Sequence, residues 1–338
     1  MTERPSRSHS GCLWAIIIFQ GFLLALGIVG VLGAMAIHAS SAKWKTDLSA
    51  MGEDEYPQLD EVWSCGQGDT KVVRIPLKGT IMLGEDDGVF SSAVGTADLA
   101  LAAIRRATHD REVKGIILDV DSGGGGITAS EILYNALQEF RSSDENRVVV
   151  SLFGDVAASG AYYVSAASDT IIAHPTTLTG SIGVLMQTIN VKELAQKIGV
   201  RDVTIKSGKN KDLLNPFEDL NPEQTQMLQE VIDELHSRFV SIVAEGRELD
   251  EAKVRAFADG RVFSATKAMD LGLVDEIGHW EDAVDCAAEL LDVDSVKVYR
   301  YQQPFTLADL FRAQGPVQEI AAILRPWIGT RLMYLWQL

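Results

Sequence analysis

The sequence predicts an α/β fold with a layered core, and three observations predict it. Apolar, β-branched runs recur at Lys71–Leu83, Gly115–Asp121, Val148–Phe153 and Thr170–Ala173. Stretches with helical spacing separate them: Ala97–Thr108 has it at Leu99, Leu101, Ile104 and Ala107, and Thr128–Phe140 follows the second run. Glycines and small residues sit directly after the strands, where a sheet hands the chain to a helix. Strands alternating with helices at this spacing demand a sheet covered by helices.

Composition sets the frame. A chain of 338 residues can bury a sizeable core. The formal net charge of −17 argues against a nucleic-acid binder, which needs a basic face. Cys12, Cys65 and Cys286 have no metal-ligand spacing, so neither a metal nor a cofactor is expected. Cys65 and Cys286 read as two isolated buried thiols, with pairing in an oxidising compartment as the alternative.

Taken in order, the chain opens on a polar tail, 1–12, followed by an uncharged apolar run from Leu13 to Ile37. Roughly 20 such residues span a bilayer, and this run is longer than a signal-peptide core. It is expected to be a transmembrane signal anchor that exports the larger, acidic remainder. Arg4 and Arg7 before it nearly balance Lys43 and Lys45 after it. Residues 38–70 read as a linker, polar and irregular from 43 onward with Pro57, Gly66 and Gly68.

The folded part begins with the strand and turn of Lys71–Leu83 and continues through the alternation above. Ala157–Ala167 reads as a closely packed helix, Val191–Ile198 as another, and Val200–Lys206 as a strand. Asn221-Pro222-Glu223-Gln224 is a helix start, with Asn as cap and Pro in the first turn. Met227, Leu228, Val231, Ile232, Leu235, Phe239 and Val243 give this long helix one apolar face, a structural pattern. Ser264 caps a further helix that stops at Gly272. The last segment, with Trp327, Met333, Tyr334, Leu335 and Trp336, suits packing on the domain, the membrane or a partner's groove.

Three constellations carry chemistry. The stretch Gly154-Asp155-Val156-Ala157-Ala158-Ser159-Gly160 places Ser159 where a strand becomes a helix, with free backbone N–H groups gathered nearby. The same stretch also suits a serine in an Ala/Gly-rich packing helix. Asp121-Ser122-Gly123-Gly124-Gly125-Gly126, between a strand and a helix, can turn consecutive N–H groups toward one point. That suits a phosphate or an oxyanion. The absence of a Lys in Ile127-Thr128-Ala129 disfavours a phosphate loop, and contiguous glycines disfavour a dinucleotide fingerprint.

A serine nucleophile needs a proton acceptor. Among the histidines, His236 lies on the long helix and His174 precedes Pro175 at a strand end, and none has an obvious Asp partner in a loop motif. Lysine is the alternative, and the loop Lys206-Ser207-Gly208-Lys209-Asn210-Lys211-Asp212 carries three. A lysine acts as a base where burial or neighbours pull its pKa from roughly 10.4 toward 7–8. Ser181, in the turn Thr179-Gly180-Ser181-Ile182-Gly183, offers a hydroxyl to orient such an amine, or is an ordinary turn hydroxyl. Local chemistry does not separate the three lysines.

These motifs together resemble the signal peptide peptidase A family of serine-lysine peptidases. Gly260-Arg261-Val262-Phe263-Ser264 and Gly272-Leu273-Val274-Asp275-Glu276-Ile277-Gly278 resemble its C-terminal signature. The resemblance covers roughly residues 70–300. It implies a Clp-protease/crotonase-like fold, a peptidase domain over 71–300, and a tail over 301–338. Carried over by position, Ser159 is the nucleophile, Lys211 the general base and Ser181 the hydroxyl that positions it. The oxyanion donors are a backbone N–H of the Gly124-Gly125 pair and that of Gly160. Asp121-Ser122-Gly123 departs from the family's usual Asn-Ser-Pro, so the loop lacks the proline that pre-sets it.

The expected activity is endoproteolysis of remnant signal peptides or other exported, membrane-derived peptides. The expected setting is the bacterial plasma membrane, single-pass, with the catalytic domain on the exported side. The resemblance further implies a ring-like homo-oligomer, in some members with Ser and Lys on neighbouring subunits. Two other readings stand beside it: an inactive scaffold on the same fold, and a crotonase-type acyl-CoA enzyme. The latter has no reason to keep a paired Ser and Lys.

Overall fold

The structure, a computed structural model, describes residues 57–84 and 95–302, and the backbone of 332–335. The first strands are β1 (Asp60–Cys65) and β2 (Thr70–Lys78), followed by α1 (Thr96–His109), β3 (Val113–Ser122) and β4 (Gly124–Gly126). Next come α2 (Ile127–Ser142), β5 (Val148–Ala158), α3 (Gly160–Ser165), β6 (Thr170–Ala173), β7 (Leu178–Gly180), β8 (Leu185–Met186) and α4 (Lys192–Ile198). The long α5 (Pro222–Gly246) precedes α6 (Glu251–Arg255), β9 (Val262–Ser264) and α7 (Ala265–Asp270). The rest is β10 (Glu276–Ile277), α8 (Trp280–Leu290), β11 (Val296–Gln302) and β12 (Leu332–Leu335).

The main sheet runs β1-β11-β2-β3-β5-β6-β10, parallel from β11 to β10, with β1 antiparallel at one edge. Period-two alternation divides its side chains between two layers. Val73, Ile116, Leu118, Val149 and Phe153 point into the larger core with α1, α2, α3 and the end of α5. Val72, Ile117, Val150 and Leu152 point the other way, against Ala283, Ala287 and Ala288 of α8. Both faces are covered, which is why the central strands read as unbroken apolar runs. The expected α/β layering is present. Cys65 and Cys286 are free thiols and both pack against the smaller cluster, half-buried rather than fully buried.

Strand β5 directs the chain to the candidate site. It pairs with β3 through Val120↔Phe153, then resumes at Ser122↔Ala157, so the β5 side carries extra residues across Gly154–Val156. Such a bulge bends a strand and increases its twist. Below it β5 pairs with β6 (Val150–Phe153), and beyond it with β7 (Val156–Ala158). Asp121 helps hold the bend, its Oδ1 accepting from the Val156 N–H at 3.3 Å. A second sheet, β4-β12-β8, lies off this bend, and β12 is antiparallel to both neighbours.

Several expectations change. Residues 60–65, expected within a linker, form β1 and pair with β11. Ala157 and Ala158 are strand, and the helix after Ser159 is only Gly160–Ser165: these small residues fit a crowded strand as readily as a helix. Residues 200–206 form no strand. Val203 and Ile205 are 84% and 98% exposed, with no neighbouring strand to pair their backbone. On α5 the capping box Asn221/Gln224 forms as expected, but only its last turns, Phe239–Ala244, are buried. Met227 and Val231 remain exposed. The expected anchor, 13–37, lies outside the described residues, and among those residues no helix is long and apolar enough to cross a membrane.

Candidate active site

Strand β5 ends at Ser159, and its backbone explains why this position differs from its neighbours. Ser159 has φ 55° and ψ −119°, a conformation L-residues avoid, and its N–H donates to the Gly180 carbonyl at 2.8 Å. Among the described residues five non-glycines have positive φ, and two of them are Ser159 and Ser181 (φ 50°). Each such residue costs about 1–3 kcal/mol, a cost that persists where surrounding structure over-determines it. Here the surrounding structure is the β5–β7 pairing, Ala158↔Gly180, which sets the two serines at adjacent strand ends.

Ser159 is 1% exposed, and its Oγ has no hydrogen-bond partner among the described residues. A buried hydroxyl left unpaired costs about 1–3 kcal/mol, so it calls for an explanation. A packing serine would have used that hydroxyl. Ser165, further along α3, does so, bonding to the Ala161 carbonyl at 2.8 Å. Gly160 occupies the first turn of α3, where an N–H has no acceptor within its helix.

Helix α3 is anchored by aromatic residues on two sides. Tyr162 Oη donates to the Leu273 carbonyl at 2.7 Å, and burial pushes its phenol pKa up. Tyr163 packs between Tyr134 and Phe239 and donates to Glu131, which also accepts from Arg238 of α5 at 2.8 Å. Burial opposes the charge on Glu131, yet these donors hold its carboxyl below the ordinary value. Sequence reasoning missed this support, because no local pattern connects Glu131, Tyr163 and Arg238.

Ser181 is held from the other side by β9. Its N–H donates to the Arg261 carbonyl at 2.8 Å, and β7 pairs with β9 through Gly180↔Val262. The Gly260–Ser264 stretch thus has a physical role as the backing of Ser181.

The glycine run is a strand rather than a loose turn. Ile81 N–H donates to the Gly124 carbonyl at 2.9 Å, and Gly126 N–H donates to the Ile81 carbonyl at 2.8 Å. The Gly124 N–H is taken by Ser122 Oγ at 3.1 Å. Ser122 is buried, so this bond and the Asp121 contacts fix the loop without a proline. Strand alternation turns Gly125's N–H and C=O away from Ile81, toward Tyr334 of β12. Gly124 has a φ of 99°, which favours glycine, and a Cβ on Gly125 would lie 2.1 Å from the Ile81 carbonyl oxygen. If Gly125 is the oxyanion donor that the family resemblance implies, Gly125→Ala should lower kcat/KM for a peptide substrate by about 10²-fold, the size expected when one such donor is displaced. Steady-state assays of the purified variant check this, and wild-type kinetics would contradict it.

The structure separates the three lysines that sequence left equivalent. Lys206 Nζ lies 2.7 Å from both carboxylate oxygens of Asp212, a hydrogen-bonded pairing that raises its pKa above the ordinary value. Lys209 pairs with Glu223 at 2.6 Å. Lys211 is exposed and makes no ion pair among the described residues. It also makes no hydrogen bond to Ser159, whose Oγ has none. The histidines are engaged elsewhere: His174 meets His279 at 3.1 Å, and His236 meets the Ala258 carbonyl at 2.7 Å. Among the described residues no cluster of His, Cys, Asp and Glu could hold a metal.

Comparison with known proteins adds to this geometry. A family model described as peptidase family S49 matches residues 141–294. A protein of Enterococcus faecium named as a signal peptide peptidase SppA is 32% identical, over 86% of this chain and 84% of its own length. A protein of Synechocystis named as a protease is 38% identical over 69% of this chain and 80% of its own length. Protease 4 of Salmonella typhi is 36% identical over 69% of this chain, which covers 36% of that protein.

Proposed function

Because the chain belongs to peptidase family S49 and is an SppA-type serine protease, we propose that Ser159 is its nucleophile, with Lys211 as general base. The observation that carries this reading is the Ser159 hydroxyl itself: buried, unpartnered and held at positive φ at a strand-to-helix turn. Neutral Lys211, oriented by Ser181, takes the Ser159 proton as Oγ attacks the scissile carbonyl. The N–H of Gly160 and one from the Gly124-Gly125 pair face the developing oxyanion; protonated Lys211 returns its proton to the leaving amine as the C–N bond breaks, and water then releases the acyl-enzyme. Within the pair Gly125 is the better donor, because Ser122 already occupies Gly124.

Lys211 reaches Ser159 from a neighbouring copy of the chain. Three features support this: the exposed, unpaired lysine, the uncovered apolar residues Val203 and Ile205 on the arm 200–211 that carries it with Met227 beside Asn210, and the unpartnered serine. Burial of that arm in a ring of copies would both cover the apolar surface and desolvate the amine, lowering its pKa toward a base's range. The parallel central sheet covered on both faces supports a Clp-protease/crotonase-like architecture. Residues 13–37 anchor the protein in the bacterial plasma membrane with the catalytic domain exported, where remnant signal peptides and other membrane-derived peptides are its substrates.

Treating the full chain with a fluorophosphonate and mapping the adduct by mass spectrometry tests the assignment. The adduct is expected on Ser159, and Lys211→Ala should slow its formation by at least about 10²-fold. Peptide cleavage with no adduct on Ser159 would sink it.

A further inference from the structure

Glu131, the fifth residue of α2, joins three helices at one carboxylate. Its Oε2 accepts from Tyr163 Oη of α3, and its Oε1 accepts from the Arg238 guanidinium of α5 at 2.8 Å. Asn135, one turn further along α2, adds a donor at 3.1 Å. Packing alone does not call for this. The Tyr163 ring already lies between Tyr134 and Phe239, at 5.6 and 5.1 Å between centroids, and a phenylalanine would fill that space equally. Partly buried ionic groups cost desolvation, and apolar replacements are often no less stable. What a charged acceptor adds is direction, fixing its donors at set angles and distances where aromatic faces can slide.

Each of the three helices adjoins a different part of the candidate site. Helix α2 starts at Gly126, the end of the glycine strand, and the Ser130 hydroxyl donates to the Gly126 carbonyl at 3.0 Å. Helix α3 starts after Ser159, and the Tyr163 N–H donates to the Ser159 carbonyl at 2.9 Å. Tyr163 thus holds the serine by its backbone and Glu131 by its side chain. With six residues, α3 is too short to keep its place unaided. Helix α5 meets the lysine loop at its other end, where Lys209 pairs with Glu223 at 2.6 Å and Asn210 Nδ2 lies 3.5 Å from Met227 Sδ. About 22 Å of continuous helix separates Glu223 from Arg238.

We infer that Glu131 is a positioning residue for peptide hydrolysis, which rests on Ser159 being the nucleophile as proposed above. Glu131 touches neither substrate nor reacting atoms. Through Tyr163 it sets where α3 places Ser159, and through α2 it sets the glycine strand against that serine. Arg238 ties the same carboxylate to the helix that borders the lysine loop. Register between these parts matters because a displacement of about 1 Å at a reacting centre costs about 10²-fold in rate. The Ser159 hydroxyl, with no hydrogen-bond partner among the described residues, cannot correct such a displacement itself.

The test compares the wild-type full chain in detergent with Glu131→Gln, which keeps the shape but not the charge, and Tyr163→Phe, which deletes one oxygen. Fluorophosphonate labelling taken to completion counts the competent sites, so kcat per labelled site is not lowered by an unfolded fraction. Both variants should lose at least about tenfold in kcat per site with KM within about twofold, and should label more slowly by the same factor. The double variant should be no worse than Glu131→Gln, because the two groups act as one unit. Wild-type kcat per site in Tyr163→Phe, or losses that multiply in the double variant, overturns the inference. Tyr163→Phe decides alone if Glu131→Gln does not fold. A wild-type protein that cleaves peptides without an adduct on Ser159 would instead remove the nucleophile assignment.

Discussion

Ser159→Ala is expected to lower kcat for peptide hydrolysis by about 10⁴–10⁶-fold, the loss seen when a serine nucleophile acting with its base is removed. The unfolding midpoint should lie at or a few degrees above that of wild type, because the substitution removes a buried, unpartnered hydroxyl and orphans no other group. That combination is unusual for a residue 1% exposed, where substitution normally breaks a contact. Here the deleted Oγ has no bond to lose, and alanine tolerates φ 55° as poorly as serine does. Ser159→Gly should be equally inactive yet more stable by about 1 kcal/mol, since glycine accepts this backbone conformation without strain. Kinetics and thermal unfolding of the three proteins measure both effects. A glycine variant less stable than the alanine variant would remove the strain argument, and appreciable turnover by either would remove the nucleophile.

Lys211→Ala should produce a loss of the same kind, at least about 10³-fold in kcat, because an unassisted hydroxyl is a poor nucleophile. Lys209→Ala should leave kcat within about twofold, since its exposed pair with Glu223 is a surface contact of small energy. Lys206→Ala should act through stability, because it frees Asp212 and loosens the loop that carries Lys211. Mixing separates one chain from two. Ser159→Ala and Lys211→Ala proteins, each inactive, should regain roughly a quarter of wild-type activity when co-assembled, if each site draws Ser and Lys from different copies at random. No recovery from a verified mixed assembly would place both residues within one chain.

The parts of this arrangement that sequence revealed are those where chemistry restricts residue type. Contiguous glycines after a strand, a serine between strand and helix, and Asn221-Pro222 at a helix start are legible because few other residues can do those jobs. The apolar runs of β2, β3, β5 and β6 are legible for the same reason, being buried on both faces. What failed depended on partners distant in sequence. Val200–Lys206 has strand composition but meets no second strand, and Asp60–Cys65 has a polar pattern but finds β11. The distinction among Lys206, Lys209 and Lys211 comes from where Asp212 and Glu223 fall in space. The brace of Glu131, Tyr163 and Arg238 joins three helices and leaves no mark on any one of them.

Because β12 is antiparallel to both β4 and β8, those two strands are parallel to each other and form walls about two strand spacings, roughly 9.6 Å, apart. An α-helix with its side chains is about 10–12 Å across and spends its backbone hydrogen bonds internally, so it neither fits between those walls nor bonds to them. On the proposed reading, a helical peptide has to melt over the few residues that enter before it can be cut. The cost falls where glycine, proline or β-branched residues already weaken helical order. Choice of cleavage point is then governed by local unwinding of the substrate as much as by any side-chain pocket.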